Sequence, residues 1–365
     1  MLNNTTITFP SRRTCFCSVG NIKNCISYTD VLTDYTKRKD RADVFGITAT
    51  TPQVPYAVKI SQHIKALLPA KQSKVILGGP HVTLMHTAAK REAKKNLVGS
   101  DRATKDVEAL KSFFDVLVCG DGEIAIFDAI HEDMKIIDAD IAKSKYFLSH
   151  KQFTDLPAPA RHLVDMKSYK YFIEGEPALS LIAQLGCPFH CTFCSGRNSP
   201  FLRKIRLRDI DAVVDEVEML YLTYGVKGFM FYDDELNVNK NMVPMMNKLC
   251  DLQDKHGVDF MLRGFVKAEL FNDEQADAMY RAGFRWLLTG FESGDPTILS
   301  NIKKIATRDD NTRCVNIAKR HNLKVKALMS IGHAGESLES VENTKNWILE
   351  SEPEDFDCTI ITTYP

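Results

Sequence analysis

Short apolar runs alternate with amphipathic segments along the first half of the chain. The runs are residues 43–51, 73–83 and 113–123, and each ends in small residues. Between the first two, residues 56–69 carry apolar side chains at helical spacing. Alternating strands and helices predict a parallel α/β sheet, in which ligands bind beyond the carboxyl ends of the strands. The many charges of residues 84–112 predict an exposed helical insertion.

Six further apolar runs follow, separated by segments of helical period. The runs are residues 179–185, 227–232, 259–264, 285–291, 324–331 and 356–362. The helical segments include residues 209–225, 272–283, 309–322 and 337–352. Six strands with crossover helices predict a partial (β/α)6 barrel of the TIM type, with functional residues on the loops after the strands. The last run comes just before the chain stops, which is compatible with a truncated core.

These patterns predict an α/β protein with two domains. Residues 1–150 are expected to form a Rossmann-like parallel sheet, and residues 176–365 the barrel. Residues 151–175 contain Pro157 and Pro159 without a clear period, which predicts a linker. About 40 residues precede the first apolar run, so we expect the first domain to be shortened at its N-terminus.

Composition narrows the classes of function. The 365 residues carry 47 basic and 47 acidic side chains, so charge does not indicate nucleic acid or an acidic membrane as a partner. No run approaches the roughly 18 apolar residues of a membrane helix, and the N-terminus lacks the pattern of a secretory signal. Ten cysteines in such a chain indicate reduced thiols that serve metal binding or catalysis. We therefore expect a cytoplasmic protein without nucleic-acid or membrane partners.

Three cysteines lie close together in LGCPFHCTFCSGR, residues 185–197, with the spacing C-x3-C-x2-C. A structural zinc site takes four ligands, usually as two separated pairs, and His190 is the nearby candidate for a fourth. Three thiolates on one loop can instead hold three irons of a 4Fe-4S cluster and leave the fourth iron open. We favour such a cluster at Cys187, Cys191 and Cys194 over zinc and over buried structural cysteines.

The cysteine spacing resembles the signature of the radical S-adenosylmethionine (SAM) superfamily, and the resemblance covers about residues 178–365. It implies that the open iron binds the amino and carboxylate groups of SAM. An electron from the cluster would then split the sulfonium and give a 5′-deoxyadenosyl radical. Phe193 matches the aromatic position that contacts the adenine, with a core phenylalanine as the alternative.

The resemblance assigns a role to the acidic triplet after the second barrel strand. Asp233, Asp234 and Glu235 stand where the family has an acidic group for the ammonium of SAM. The family's segment is often Gly-Gly-Glu, so the first two positions depart from it. Adjacent carboxylates are costly without a nearby cation or donor. An ordinary solvated acidic turn is the alternative.

Two later strand ends also match the family. Glu292 and Ser293 stand at its ribose-binding position, where a tight turn with incidental polarity is the alternative. Ile331 and Gly332 match the segment beside the adenine, together with Glu336. Glu336 could equally be an acid favoured at a helix N-terminus.

The first half looks like the cobalamin-binding domain of one class of radical SAM enzymes, over about residues 40–160. This resemblance implies that the loops after its strands surround the nucleotide tail of cobalamin, where small residues let the backbone approach the ligand. The candidates are Thr48, Ala49, Thr50, Gly78, Gly79, Pro80 and Gly120. The chain has no D-x-H-x-x-G motif, so the lower face of the cobalt would be open or filled by another group.

Taken together, the resemblance implies an enzyme that binds a 4Fe-4S cluster, SAM and cobalamin and transfers a methyl group to an unactivated carbon or to phosphorus. The expected partners are a small-molecule or natural-product substrate and a reductant such as flavodoxin or ferredoxin. Three alternatives stay open: a cyclisation or other radical reaction, a first domain that no longer binds cobalamin, and a non-catalytic iron–sulfur protein. The matches after four successive strands disfavour the last, because an electron carrier needs only the cysteines.

Overall fold

Of the 365 residues, the computed structural model describes 14–18, 43–68, 73–95, 101–166 and 169–362. These residues divide into two compact units. The first unit contains the described residues up to Leu148 together with Asn198–Phe201. The second contains Ser149–Arg197 and the residues from Leu202 onward.

The first unit is built on parallel strands. They are β1 Thr14–Ser18, β2 Val44–Thr48, β3 Lys74–Gly78, β4 Val116–Gly120 and β5 Ile136–Ala139. The helices are α1 Val54–Leu67, α2 Pro80–Lys95, α3 Arg102–Phe113 and α4 Gly122–His131. The five strands form one sheet in the order β1-β2-β3-β4-β5. The expected Rossmann-like parallel sheet is confirmed, and β1 is a strand that the apolar pattern did not show.

Alternate residues of these strands face two separate cores. Phe45 and Val75 pack with α1, α2 and α3, whereas Val44 and Ile76 pack with α4. Helices therefore cover both faces of the sheet. The prediction of an exposed insertion over residues 84–112 is wrong, because α2 and α3 bury apolar side chains such as Val107 in the first of these cores. An amphipathic helix can be rich in charge and still bury one face.

The second unit holds the remaining strands. They are β6 Phe172–Ile173, β7 Glu176–Leu181, β8 Gln184–Leu185, β9 Arg206–Leu207, β10 Gly228–Phe231, β11 Met261–Phe265, β12 Phe284–Glu292, β13 Lys324–Ile331 and β14 Asp355–Ile360. Seven of them form a sheet in the order β14-β13-β12-β11-β10-β7-β6, parallel from β7 to β14. The short strands β8 and β9 pair separately. The six parallel strands are those predicted, and the partial barrel is confirmed.

One helix precedes the barrel strands, and the others lie between them. They are α5 His150–Thr154, α6 Pro200–Arg203, α7 Ile210–Tyr224, α8 Met242–His256, α9 Asp273–Arg281, α10 Pro296–Asn301, α11 Arg308–Arg320 and α12 Leu338–Ser351. Gly225 ends α7 with a φ of 67°, a left-handed conformation that glycine adopts at little cost. The main core joins Leu262 and Leu287 of the sheet to Met246 and Trp347 of the helices. Among the described residues, no helix is long and apolar enough to cross a membrane.

The segment predicted as a linker has structure of its own. It contains most of α5 and the strand β6, and by its contacts it belongs to the second unit. Arg161 donates to the carbonyl of Ser180 at 2.8 Å and pairs with the buried carboxylate of Glu216. The boundaries 1–150, 151–175 and 176–365 stay a prediction.

Candidate functional site

The three cysteines lie on the loop that follows β8. Backbone bonds hold this loop in place: Cys187 N–H donates to the Leu202 carbonyl at 3.0 Å, and Thr192 N–H donates to the Ile302 carbonyl at 2.8 Å. All three cysteines are free of disulfides; Cys194 is exposed and the other two are partly buried. The fold therefore presents three thiols on one fixed loop.

Arg203 supports the same loop from α6. Its guanidinium donates to the carbonyls of Pro188 at 2.5 Å and Phe189 at 3.1 Å, and it also contacts Nδ1 of His190. A histidine that accepts from an arginine at Nδ1 is oriented by that bond. His190, the candidate fourth zinc ligand, is thus held by a cation. Among the described residues, no three His, Cys, Asp or Glu side chains are grouped to share one metal ion.

Two buried lysines influence the thiols. Burial raises the pKa of Cys187 to about 11 and also raises that of Cys191, while Lys267 acts in the opposite direction at both. Lys304 likewise lowers the pKa of Cys191. Lys267 lies 4.2 Å from the ring centre of Phe189 on the loop. These cations favour the thiolate form that an iron ligand needs.

The first two carboxylates of the acidic triplet bind the backbone. Asp233 is 1% exposed and accepts from Ala183 N–H at 3.2 Å, and Asp234 accepts from Gly186 N–H at 2.7 Å. Gly186 has a φ of 92°, and a Cβ there would lie 2.1 Å from the Lys204 carbonyl oxygen. Both aspartates therefore shape the entry to the cysteine loop.

Asp233→Asn is expected to weaken the pH dependence of stability. Burial raises the pKa of Asp233 to about 7, above the roughly 3.9 of an unfolded chain. The native state thus holds this proton more tightly than the unfolded chain does. The proton therefore adds fully to the free energy of unfolding below pH 4, and this contribution is lost as the pH rises to 7. A tenfold difference in proton affinity between the two states corresponds to about 1.4 kcal/mol. Urea unfolding from pH 4.5 to 8 checks this, and an unchanged slope in the variant would refute it.

Glu235 is the remaining carboxylate of the triplet. Burial raises its pKa to about 7, and Lys304 and Lys267 act in the opposite direction. Its backbone carbonyl accepts from the Gln184 side chain at 3.3 Å, and its carboxylate has no hydrogen bond to another of the described residues. Glu235 is therefore the member of the triplet best placed to bind a cation.

Glu292 is the centre of a polar network. It ends β12 with a φ of 66°, a conformation that non-glycine residues rarely adopt. Its carboxylate lies 3.3 Å from Lys304 Nζ and accepts from the Ser330 hydroxyl at 2.9 Å. Ser330 also bonds His333 at 2.8 Å, and the His333 ring lies 5.4 Å from the ring of Phe193. The network thus connects the end of β12 with the aromatic residue of the cysteine loop.

The other predicted SAM residues have different surroundings. Ser293 is buried and bonds Thr344 of α12 at 2.9 Å, so it holds a turn together. Ile331 ends β13, and Gly332 follows with a φ of 92° and donates its N–H to the Glu336 carboxylate. The structure brings Phe193, Glu292 and the end of β13 into one network, and ribose binding by Ser293 stays a prediction.

Sequence reasoning missed Lys267, Lys304, Ser330 and His333. The sequence does not distinguish Lys304 from its neighbour Lys303, which is the same residue type but is exposed. His333 lies within the glycine-rich segment after β13, where a single ionisable ring is a signal that could have been used.

A cavity of about 500 Å³ lies at the carboxyl ends of β2, β3 and β4 in the first unit. Among the predicted cobalamin residues, its lining includes Thr48, Gly78, Gly79 and Gly120. Gly79 has a φ of 100°, and a Cβ there would lie 2.4 Å from Thr48 Oγ1. The glycines therefore keep the cavity open and the chain unstrained, as close backbone approach to a bulky ligand requires.

The three other predicted residues of this set support the cavity without lining it. Ala49 is buried and donates its N–H to the Gly78 carbonyl at 3.2 Å. Thr50 bonds the Gln53 side chain in the following turn, and Pro80 begins α2. These residues set the backbone path between the strands and their helices.

Comparison with known proteins finds relatives for nearly the whole chain. An uncharacterized methyltransferase of Pyrococcus horikoshii is 27% identical over 349 residues, which cover 90% of this chain and 68% of that protein. The anaerobic magnesium-protoporphyrin IX monomethyl ester cyclase of Cereibacter sphaeroides is 22% identical over 364 residues, which cover 93% of this chain and 55% of that protein. The chain thus spans about half to two thirds of the length of these relatives.

A solved structure shares the fold. The radical SAM methyltransferase TsrM of Kitasatospora setae, with cobalamin and a [4Fe-4S] cluster bound, has a TM-score of 0.67 and 18% identity. The match covers 92% of this chain and 66% of that one. The Radical SAM superfamily itself matches residues 181–348, which include the cysteine loop and the strand ends that follow it. Residues 181–348 therefore match a radical SAM domain.

Proposed function

We propose that this chain is a radical SAM enzyme that binds a 4Fe-4S cluster through Cys187, Cys191 and Cys194. The observation that carries the proposal is the fixed loop with three free thiols in the superfamily's spacing. When bound, the cluster supplies the electron that cleaves SAM, and its fourth iron has no cysteine ligand. The role of Lys267 and Lys304 is to offset the charge of the thiolates beside them.

Within this function we assign the ammonium of SAM to Glu235 and the adenine to Phe193. Asp233 and Asp234 already bind backbone amides, so Glu235 has the free carboxylate. The Glu292 carboxylate pairs with Lys304 and accepts a hydrogen bond from the Ser330 hydroxyl. We propose that it accepts from the hydroxyl groups of the SAM ribose in the same way.

Glu235→Gln is expected to weaken SAM binding about tenfold, because a charge-assisted hydrogen bond contributes roughly 1.5–3 kcal/mol. Iron content should stay at the wild-type level. Asp233→Asn is the matched control. Asp233 is a buried acid of the same triplet, but its carboxylate binds a backbone amide and is not assigned to SAM. Calorimetric titration of the reconstituted protein with SAM measures both. Equal SAM affinity in wild type and Glu235→Gln would show that Glu235 does not bind SAM.

We further propose that the cavity of the first unit binds cobalamin. The support is its size, its glycine lining and the fold shared with TsrM, which was solved with cobalamin. Cobalamin, when bound, supplies the methyl-transfer chemistry, and the chain supplies placement. The likeness to a methyltransferase favours methyl transfer to an unactivated centre. The likeness to a cyclase supports ring closure as the second candidate.

Gly78→Val is expected to abolish cobalamin binding and leave the cluster intact. A Cβ at Gly78 meets only the Val118 carbonyl, at 3.8 Å, so the larger side chain enters the cavity without straining the backbone. The absorption spectrum of protein reconstituted with cobalamin measures the loss, and iron content is the internal control. Full cobalamin occupancy in this variant would place the cofactor elsewhere.

The test of the whole function is anaerobic reconstitution with iron, sulfide and cobalamin, followed by an assay for 5′-deoxyadenosine from SAM. We propose a small-molecule substrate and a reductant such as flavodoxin or ferredoxin. Reduced thiols and such a reductant fit a cytoplasmic enzyme. No 5′-deoxyadenosine from protein with a full cluster would reject the assignment.

A further inference from the structure

The sheet of the second unit has one face packed on helices and an opposite face, here called the inner face. Met230, Arg263 and Trp286 are in register with one another on the inner face. Phe265 and Leu288 form the next row toward the carboxyl ends of the strands. Successive residues on one face of a strand are roughly 7 Å apart. Arg263 therefore lies one such step inside the end of β11, the edge at which barrels of this type bind ligands.

The inner face carries accessible aromatic rings. Tyr232, just after β10, is 51% exposed, and its ring lies 6.3 Å from that of Phe265. Phe265 and Trp286 are partly exposed and pack around the buried Met230. A group of large apolar side chains that stays accessible is a typical feature of a ligand site. The shape and chemistry of these rings favour a flat apolar ligand.

The inner face also carries three cations, and two of them are neutralised. Lys324 pairs with Glu174 at 2.8 Å, and Lys326 pairs with two aspartates of β14 at 2.8 and 2.9 Å. Arg263 forms no salt bridge with a carboxylate of the described residues. Its guanidinium lies 5.9 Å from the ring centre of Trp286, and its buried Nε has no hydrogen-bond partner among these residues.

The groups that contact Arg263 directly carry no negative charge. Tyr171 bonds the guanidinium, but burial raises the pKa of this tyrosine, so it is neutral at pH 7. Trp286 offers only its ring. Asp355 of β14 interacts electrostatically with Arg263 but forms no salt bridge with it. A partly buried cation without a paired anion favours an anionic ligand.

We infer that the inner face binds a flat aromatic acid, with its ring on Tyr232, Phe265 and Trp286 and its anionic group on Arg263. This is the substrate class of the proposed enzyme, and the inference rests on that function for its role in catalysis. The binding itself depends only on the inner face. The anionic group is a carboxylate or another group that accepts the paired hydrogen bonds of arginine.

The test uses the full chain reconstituted with its cluster and two probes of one shape, 2-naphthoate and the uncharged 2-naphthamide. Equilibrium dialysis is expected to show about tenfold tighter binding of the acid. Arg263→Met should abolish this preference and leave the affinity for the amide within about twofold. Arg263→Lys keeps the charge and should retain part of the preference, which covers the case in which Arg263→Met does not fold.

Arg285→Met is the matched control, because Arg285 lies on the same strand as Trp286 but contacts the Tyr280 ring instead. It should leave both affinities unchanged. Equal binding of the two probes by wild type, or an unchanged preference in Arg263→Met, would overturn the inference. The formation of 5′-deoxyadenosine is assayed on the same preparation. Its absence would reject the proposed function alone, and its presence without naphthoate binding would reject the inner-face site alone.

Discussion

Cys191→Ala is expected to reduce 5′-deoxyadenosine formation by more than about 100-fold, since loss of even an outer partner of a metal ligand costs 10- to 100-fold. The Cys191 thiol lies beside Lys267 and Lys304. Among the described residues, its loss leaves Cys187 and Cys194 as the two thiols of the loop. Two thiolates cannot hold three irons of a cluster. The iron content of the purified variant should fall together with its activity.

The loss should come without unfolding. The Cys191 carbonyl accepts from Cys194 N–H at 3.2 Å, a backbone bond that alanine keeps. Cys250→Ala is the control, because Cys250 is also partly buried but lies on α8, 3.8 Å from Arg281. It should retain wild-type iron and activity. Wild-type rates of SAM cleavage in Cys191→Ala would mean that the cluster is held elsewhere.

Lys304→Met is expected to lower the free energy of unfolding by about 3 kcal/mol. The Lys304 side chain is 5% exposed, and its Nζ contacts the Gly290 carbonyl and lies 3.3 Å from Glu292. Burial lowers the pKa of Lys304, but the anionic groups around it, with Glu292 and Glu235 as the largest contributors, together outweigh burial and raise it. Removal of this cation leaves buried carboxylates without compensation, which is the costly way to break a buried pair.

Urea unfolding measures the effect, and two variants locate its cause. The double variant Lys304→Met, Glu292→Gln should recover more than half of the loss, because it removes both partners. Lys303→Met changes the exposed neighbour and should stay within about 0.5 kcal/mol of wild type. A full loss in the double variant as well would show that packing of the lysine chain, and not charge, is responsible.

Most of the fold could be predicted because its elements leave local patterns. The apolar runs predicted the six parallel strands of the barrel in their correct order, since each β/α step obeys the same connection rule. The strand β1 was not predicted because TCFCS is a five-residue piece without a clear alternation. The error over 84–112 has the opposite cause: charge density was read as exposure, although Val107 and Leu110 share one buried face of α3.

The site could be predicted only where residues are close in sequence. The spacing of Cys187, Cys191 and Cys194 is local, so the sequence alone predicts that these thiols act together. The triplet 233–235 was also visible, but which acid is free depends on amides about 50 residues away. The bond between Ser293 and Thr344, 51 residues apart, is another contact that no single segment shows.

The buried charges show the same limit. Glu292 meets Ser330, 38 residues further on, and Lys267 meets Phe189 of the cysteine loop. Such pairs form because strand ends converge at one edge of the sheet, and convergence is a property of the folded chain. The lack of a carboxylate paired with Arg263 is likewise apparent only from its neighbours in the folded chain.

Mössbauer spectroscopy of protein reconstituted anaerobically with 57Fe, recorded with and without SAM, measures the state of each iron directly. Four irons per chain are expected, three of them held by cysteine and one altered by addition of SAM. A signal that does not respond to SAM at any iron, or a loop filled by zinc after reconstitution, would contradict the assignment of Cys187, Cys191 and Cys194.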